Sequence, residues 1–274
     1  METPITTIWD TDPLAALRLQ VDWGADEALE DAPVNRLRAQ APAGIRPVAP
    51  EAAPTAANRP LSAQPSTQAA QAVARAEQAA ASAGDLAALR AAVAGFDGCA
   101  LRDTASSLVF AEGSAASGLL LIGDAPGSDE DRAGRPFAGT AGAYLDRMLT
   151  SIGRRRGEAL LTPLIPWRPP GDRPPNPAEL AICLPFLWRL IVLTAPRQIV
   201  LFSGLAARAL LPAVQRRRPR GTWVALGVPG LPAPIPTLAS ASLSTIMQTA
   251  AQRREAWGDL RRLSRALAPA EPPP

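Results

Sequence analysis

Apolar segments recur along the carboxyl-terminal part of the chain, and their spacing follows two patterns. Continuous apolar runs are typical of strands buried on both faces, whereas apolar residues three and four positions apart indicate helices. The predicted strands are 119–122, 159–165, 198–203, 223–226 and 235–238, and the predicted helices are 141–149, 177–193, 205–211 and 249–267. Because strands and helices alternate over short links, the pattern predicts a three-layer α/β/α sandwich with a mostly parallel central sheet.

The rest of the chain divides by composition. The predicted segments are an amino-terminal region with an amphipathic helix pattern (1–40), a Pro/Ala-rich linker (41–66), an Ala-rich helix (67–84), the main domain (85–268) and a disordered tail (269–274). Asp85 is expected to cap the first helix of the main domain. An amphipathic helix needs a surface to cover, so the amino-terminal helix either docks on the domain or binds a protein partner.

Composition narrows the possible chemistry. The chain has 28 basic residues, all of them Arg, and no His, so the usual acid–base and metal-binding side chain is missing. Arg suits phosphate contacts, although an all-Arg composition also arises from genome base bias. Two Cys give no disulfide framework. Neither a signal peptide nor an 18-residue apolar span is recognisable in the sequence. We therefore expect a cytoplasmic protein without a membrane partner.

The sequence around the first strand offers a candidate site. Asp124 follows the apolar run 119–122, where open α/β sheets place ligands, and Pro126 and Gly127 impose a turn. A carboxylate held by a stiff turn at a strand end is a plausible catalytic position. An ordinary strand–turn–helix unit, in which Asp124 caps the turn, is the alternative.

This turn and the residues after it closely resemble the first motif of the family-4 uracil-DNA glycosylases, a G-E-A-P-G turn followed by E-D-x-x-G-R-P-F-x-G-x-A-G. The matching residues are Gly123, Ala125, Pro126, Gly127, Glu130, Asp131, Gly134, Arg135, Pro136, Phe137, Gly139, Ala141 and Gly142. Asp124 stands where the family usually has Glu. The similarity continues through 168–180, 183–187, 199–211 and 236–238, and it implies the uracil-DNA glycosylase fold over about 85–267.

The resemblance implies base excision from DNA. Such an enzyme flips a nucleotide out of the stack and breaks its N-glycosidic bond. By this resemblance Asp124 is the catalytic carboxylate, Ala125, Pro126 and Gly127 present backbone groups to the base, and Phe137 stacks on it. Packing in the core is the other role open to Phe137.

Several family positions have changed. The Asn that reads the uracil edge aligns with Pro163, and the His of the His-Pro-Ser motif aligns with Ala239. One such donor is typically worth about 10²–10³ in rate, so the resemblance implies weak or altered activity. Leu243 falls in the region of the DNA wedge, although an apolar residue there is also suited to packing. Arg168 and Arg173, in a Pro-rich loop, are candidate DNA contacts.

The family's cofactor has lost ligands as well. The family binds a 4Fe–4S cluster through four Cys, and Cys99 and Cys183 match two of them. The other two positions are Arg102 and Trp167. We therefore expect no cluster, and Trp167 is a candidate to fill the vacated volume.

Three functional hypotheses remain open. The first is a divergent base-excision enzyme that acts on uracil-containing or single-stranded DNA. The second is a non-catalytic DNA-binding or protein-interaction module on the same fold. The third is a scaffold without nucleic acid, which the intact first motif disfavours. Three Arg clusters, at 154–156, 216–220 and in the closing helix, are either solvated surface or phosphate contacts.

Overall fold

The computed structural model describes residues 67–212 and 221–267. The predictions for 1–66, for the Arg cluster 216–220 and for the tail 269–274 lie outside the described residues. The described helices are α1 (Thr67–Ser82), α2 (Leu86–Gly95), α3 (Leu101–Thr104), α4 (Ser128–Ala133), α5 (Gly139–Ser151), α6 (Pro177–Thr194), α7 (Gly204–Leu210), α8 (Leu243–Gln248) and α9 (Ala250–Leu267). The strands are β1 (Glu112–Gly113), β2 (Leu119–Ile122), β3 (Leu160–Thr162), β4 (Gln198–Leu201), β5 (Trp223–Leu226) and β6 (Ile235–Ala239).

The described strands form one sheet in the order β1-β3-β2-β4-β6-β5. Neighbouring strands from β3 to β6 pair in parallel, whereas β1 and β5 pair antiparallel at the two edges. This arrangement confirms the predicted mostly parallel sheet. Because the parallel strands share one direction, the residues that follow β2, β3, β4 and β6 meet at one edge of the sheet.

Alternate residues of the central strands enter two separate cores. On one face Leu120, Ile122 and Leu201 pack with residues of α1, α2 and α6. On the other face Leu121 and Val200 pack with residues of α5, α8 and α9. The predicted three-layer sandwich is therefore confirmed, with a hydrophobic core on each side of the sheet.

The Ala-rich helix α1 shares a core with the sheet. Ala72, Ala76 and Ala80 lie on one face of α1, because they are four residues apart, and all three are buried. Arg189 on α6 donates two hydrogen bonds to the carbonyl of Ala83, just after α1. The small Ala side chains let α1 pack closely against the larger residues of α6.

Helix α6 corrects one expectation from the sequence. Its 18 residues are long and apolar enough to cross a membrane by length and composition, although no such span was expected. The buried side chains of α6 are Glu179, Ile182, Cys183, Phe186, Leu187, Leu190 and Ile191. Their place in the core beneath the sheet accounts for the apolar composition of this helix.

Candidate active-site cleft

The cleft lies where the parallel strands end. Asp124 follows β2, Ser203 follows β4 and Ser240 follows β6. A cavity of about 960 Å³ opens at this edge, and Asp124, Ala125, Pro126, Gly127 and Ala239 are among the residues that line it. A second cavity of about 360 Å³ shares Asp124, Ala125 and Gly127 with the first and adds Phe137. Most residues predicted to bind the base therefore meet at one place.

Asp124 is half-buried between the two cavities, and a neighbouring strand holds its carboxylate. The hydroxyl of Ser203 donates a hydrogen bond to Oδ1 of Asp124, and the same Oγ accepts the amide N–H of Ala206 at 2.9 Å. Ser203 thus caps α7 and fixes the carboxylate at once.

Opposing effects act on the charge of Asp124. Burial raises the pKa of the Asp124 carboxyl above its usual value, and the hydrogen bond from Ser203 and the positive charge of Arg208 oppose this rise. Arg208 lies one turn along α7 and lines the larger cavity. The family resemblance did not identify Ser203 or Arg208 as site residues. Ser203 lies 79 positions from Asp124 in the sequence, so their contact depends on the folded arrangement of the strands. One sequence signal could have pointed to Ser203, because a Ser directly after a central strand commonly caps the next helix.

Glu130 joins the turn after β2 to the segment that carries Phe137. Its Oε2 accepts the N–H of Gly127 at 2.8 Å, and its Oε1 accepts the N–H of Phe137 at 2.6 Å. Burial raises the pKa of the Glu130 carboxyl, while the two backbone hydrogen bonds favour its ionised form. A single side chain of the first motif therefore sets the distance between two walls of the cleft.

Phe137 is held in an uncommon backbone conformation. Its φ of 51° lies in the left-handed region, which aromatic residues rarely adopt. Arg156 donates to the carbonyl of Pro136, and a Cβ at position 142 would overlap the carbonyl of Phe137, so Gly142 is required there. Strained residues held by their surroundings are typical of functional sites.

The ring of Phe137 meets both the core and the cavity. It packs edge-on against Phe202, with ring centroids 6.5 Å apart, and a Cβ at Gly123 would lie 2.9 Å from it. The side chain is 6% exposed, yet it lines the smaller cavity beside Asp124. Both roles considered for Phe137 are therefore compatible with its position.

Two other predicted residues are buried in the structure. Pro163 is buried and lines a small crevice with Cys183 on the face of α6, and it lines neither cavity of the cleft, although its neighbour Leu164 donates its N–H to the carbonyl of Asp124. Leu243 is 5% exposed and packs in the core beneath α8, with one side on the smaller cavity. This burial argues against the predicted insertion of Leu243 into DNA and favours packing.

The two Arg residues of the Pro-rich loop differ in their contacts. Arg168 forms a bidentate pair with Asp172, at 2.7 and 3.0 Å, and its Nη1 lies 4.0 Å from Asp131. Arg173 lines the larger cavity and pairs with Glu179 at 2.9 and 2.6 Å. Both guanidinium groups therefore organise the loop, and of the two Arg173 lines the cleft.

The residues at the family's cluster positions do not fit an iron–sulfur cluster. Cys99 and Cys183 are both buried, with their sulfur atoms 4.0 Å apart. Trp167 is 2% exposed in the same core, and Arg102 donates to the carbonyl of Phe96 at 3.1 Å. Within the described residues no group of three or more His, Cys, Asp and Glu side chains could hold a metal ion. A 4Fe–4S cluster needs four thiolate ligands, and these positions supply two.

The sequence was also compared with protein-family models and with known proteins. The family model of the uracil-DNA glycosylase superfamily matches residues 110–261, which is more than half of the 274-residue chain. The chain belongs to the uracil-DNA glycosylase superfamily. Its similarity to type-4 enzymes confirms the family-4 resemblance of the first motif.

Three curated relatives are named type-4 uracil-DNA glycosylase. The protein from Pyrobaculum aerophilum is 38% identical over 133 residues, which cover 48% of this chain and 68% of the relative. The protein from Archaeoglobus fulgidus is 38% identical over 110 residues, covering 40% of this chain and 55% of the relative. The protein from Thermotoga maritima is 35% identical over 108 residues, covering 39% and 56%. The chain thus spans little more than half the length of the last two.

Proposed function

We propose that this glycosylase-superfamily protein acts in DNA repair by removing a deaminated or damaged base from DNA. Membership of the superfamily supports a DNA-repair role of this kind. The observation that carries the proposal is the position of Asp124, which lies at the junction of two cavities at the carboxyl edge of the sheet. Uracil-containing or single-stranded DNA as the substrate, and a cytoplasmic location, belong to the same proposal.

The proposed reaction breaks the bond between the sugar C1′ and the base nitrogen. The bonding electrons leave with the base as an anion and positive charge develops on the sugar. Water then adds to C1′, and the proton that it releases neutralises the base anion. Asp124 in its ionised form stabilises that positive charge and orients the water, while Phe137 contacts the face of the extruded base. The hydrogen bond from Ser203 favours the ionised carboxylate that this role requires.

Stabilisation of the leaving base is the weak point of the site. Ala239 offers no donor where the family has His. Of the cationic side chains in the larger cavity, Arg173 pairs with Glu179 and the charge of Arg208 acts on Asp124, so the donors left for the base are backbone N–H groups of the turn and hydroxyl groups. Ser242 and Thr245 line the larger cavity, with their hydroxyl oxygens 2.8 Å apart. Neutral hydroxyl groups are weaker partners for an anion than charged donors. This supports slow or altered excision.

A panel of oligonucleotides tests the proposal. Single- and double-stranded substrates carry uracil, hypoxanthine, xanthine or an alkylated base, and abasic sites are revealed by alkaline cleavage on a denaturing gel. We expect excision of at least one base by the full chain and its loss in Asp124→Asn. The matched control is Asp103→Asn, which removes the same charge from exposed α3. No cleavage above the Asp124→Asn background on any substrate would overturn the proposal.

A second candidate function is a non-catalytic DNA-binding or protein-interaction module on the same fold. Ala239 in the cleft and Pro163 outside it favour this alternative, because neither supplies the donor that the family uses. The same panel separates the two candidates: specific DNA binding without turnover supports the module. A protein partner of the amino-terminal helix stays a prediction.

A further inference from the structure

Helix α9 carries an exposed aromatic side chain between arginines. Trp257 is 46% exposed, and among the described residues it is the one large hydrophobic side chain with high exposure. Arg254, Arg261 and Arg265 are exposed as well. These four residues are three, four and four positions apart, so they follow one face of the helix. We call them the Trp257 stripe.

The opposite face of α9 explains why the stripe points to solvent. Ala256, Leu260 and Leu263 are buried against the sheet, and they lie across the helix from the stripe. With a rise of about 1.5 Å per residue, the stripe extends over roughly 16 Å. A strand that keeps the stacking of a duplex rises about 3.4 Å per nucleotide, so this length corresponds to four to five nucleotides of such a strand.

A shallow groove of about 260 Å³ lies beside Trp257, between α9 and α5. Tyr144, Met148 and Leu260 line it with Trp257. Arg147 and Arg253 add positive charge to the lining, which includes no acidic side chain among the described residues. The guanidinium of Arg147 lies 5.5 Å from the ring centroid of Tyr144. The groove therefore combines aromatic surface with positive charge.

We propose that the Trp257 stripe and this groove bind single-stranded DNA, as a second nucleic-acid surface outside the cleft. A base stacks on the indole of Trp257, and Arg254, Arg261 and Arg265 contact phosphates along the strand on either side of that base. Every base has a flat aromatic face, so such binding is tolerant of sequence and strongly dependent on salt. Charge complementarity supports this occupant, since the stripe carries three positive charges and a DNA strand carries one negative charge per nucleotide.

Anisotropy of a fluorescent oligothymidine strand tests the proposal with the full chain. Trp257→Ala should weaken binding roughly 5- to 150-fold, because stacking of one base is worth about 1–3 kcal/mol. Trp257→Phe should restore most of the affinity. The double variant Arg254→Ala/Arg261→Ala should lower the slope of log K against log salt by about 1.4, because each phosphate that an Arg neutralises adds about 0.7 to that slope.

Two controls separate this surface from general charge and from the cleft. Arg75→Ala/Arg90→Ala removes the same charge at exposed positions on α1 and α2, outside the stripe, and it should change the affinity far less. The oligothymidine strand contains no deaminated or damaged base, so its affinity and salt slope report on the stripe without turnover at Asp124. The test therefore stays informative even where base excision is absent, and failure of one proposal is distinguishable from failure of the other.

Two outcomes would overturn the inference. In the first, Trp257→Ala and Arg254→Ala/Arg261→Ala bind the strand with the affinity and salt slope of the wild type. In the second, polyglutamate binds the wild type but not Trp257→Ala, while DNA binding is unchanged in that variant. The second result would assign the stripe to an acidic protein partner in place of DNA.

Discussion

Ser203 donates its hydroxyl to the carboxylate of Asp124, across the gap between the ends of β4 and β2. This contact joins two neighbouring parallel strands at the edge where the cleft opens. It also favours the charged form of a carboxyl that burial otherwise disfavours. Ser203 therefore positions Asp124 and keeps it available as an anion.

Replacement of Ser203 by Ala should shift the pH dependence of base excision. Loss of the hydrogen bond raises the pKa of Asp124 further, so the acid limb of the rate profile should move to higher pH. Ser203→Thr, which keeps the hydroxyl, should retain the wild-type profile. Asp85→Ala removes a helix cap elsewhere, at a cost of about 1 kcal/mol in unfolding free energy, and should leave the limb in place. An unchanged acid limb in Ser203→Ala would contradict this role.

Replacement of Asp124 by Asn should stabilise the folded protein at neutral pH. Because the folded-state pKa of Asp124 is raised, the wild type loses stability as pH rises from the usual value of 3.8 through the folded-state pKa. Asn carries no charge and avoids this loss. Urea unfolding of both proteins at about pH 5 and about pH 8 should show the larger gain at the higher pH. A gain that is equal at both pH values, or absent, would show that the carboxylate is not penalised by burial.

The Glu130 side chain should be a main support of the cleft. Glu130→Ala leaves the N–H groups of Gly127 and Phe137 without their acceptor, at a cost of about 1–3 kcal/mol for each buried group. We expect a loss of roughly 2–5 kcal/mol in the free energy of unfolding, measured in urea. Glu158 accepts a backbone N–H in a similar arrangement at 3.4 Å, but it is exposed. Glu158→Ala should lower the free energy of unfolding by under about 0.5 kcal/mol. An equal loss in both variants would contradict the role of Glu130 as a support of the cleft.

Purified protein should hold no 4Fe–4S cluster. Anaerobic reconstitution with iron and sulfide should add no absorbance near about 400 nm, because Cys99 and Cys183 supply two thiolates where four are needed. The hydrogen bond with Cys99, together with burial, raises the pKa of the Cys183 thiol, which disfavours the thiolate form that binds metal, whereas the same contact lowers the pKa of Cys99. Stoichiometric iron and sulfide in the folded protein would refute this expectation.

Much of the fold could be predicted from local sequence. The run 119–122 and the helix that begins at Pro177 appear as expected, since each carries its own apolar pattern and, at Pro177, a helix-start signal. Short elements were missed: α4 spans six residues and β1 two, too few for any period to show. The predicted closing helix, 249–267, appears as α9, whereas the six-residue helix α8 before it was missed for the same reason.

The site was less predictable because it depends on contacts between distant residues. The resemblance of the first motif singled out Asp124 and Phe137, because both belong to one continuous stretch of sequence. The link from Ser203 to Asp124 depends on strand order, which periodicity does not reveal. The side of the sheet on which Pro163 lies likewise depends on how the alternation of side chains along β3 continues past its last residue. The family resemblance aligned Pro163 with a residue that reads the base, and in the structure Pro163 lines a crevice with Cys183 of α6.

The central claim is that the cleft receives an extruded nucleobase beside Asp124. The direct test is a nuclear magnetic resonance titration of the full chain with a single strand that contains one 2′-fluoro-deoxyuridine, whose glycosidic bond resists cleavage. A strand with an abasic site in the same place is the control. We predict that the amide signals of Gly127 and Phe137 shift with the uracil strand and not with the abasic strand. Identical shifts with both strands, or none at Gly127 and Phe137, would contradict a base-binding cleft.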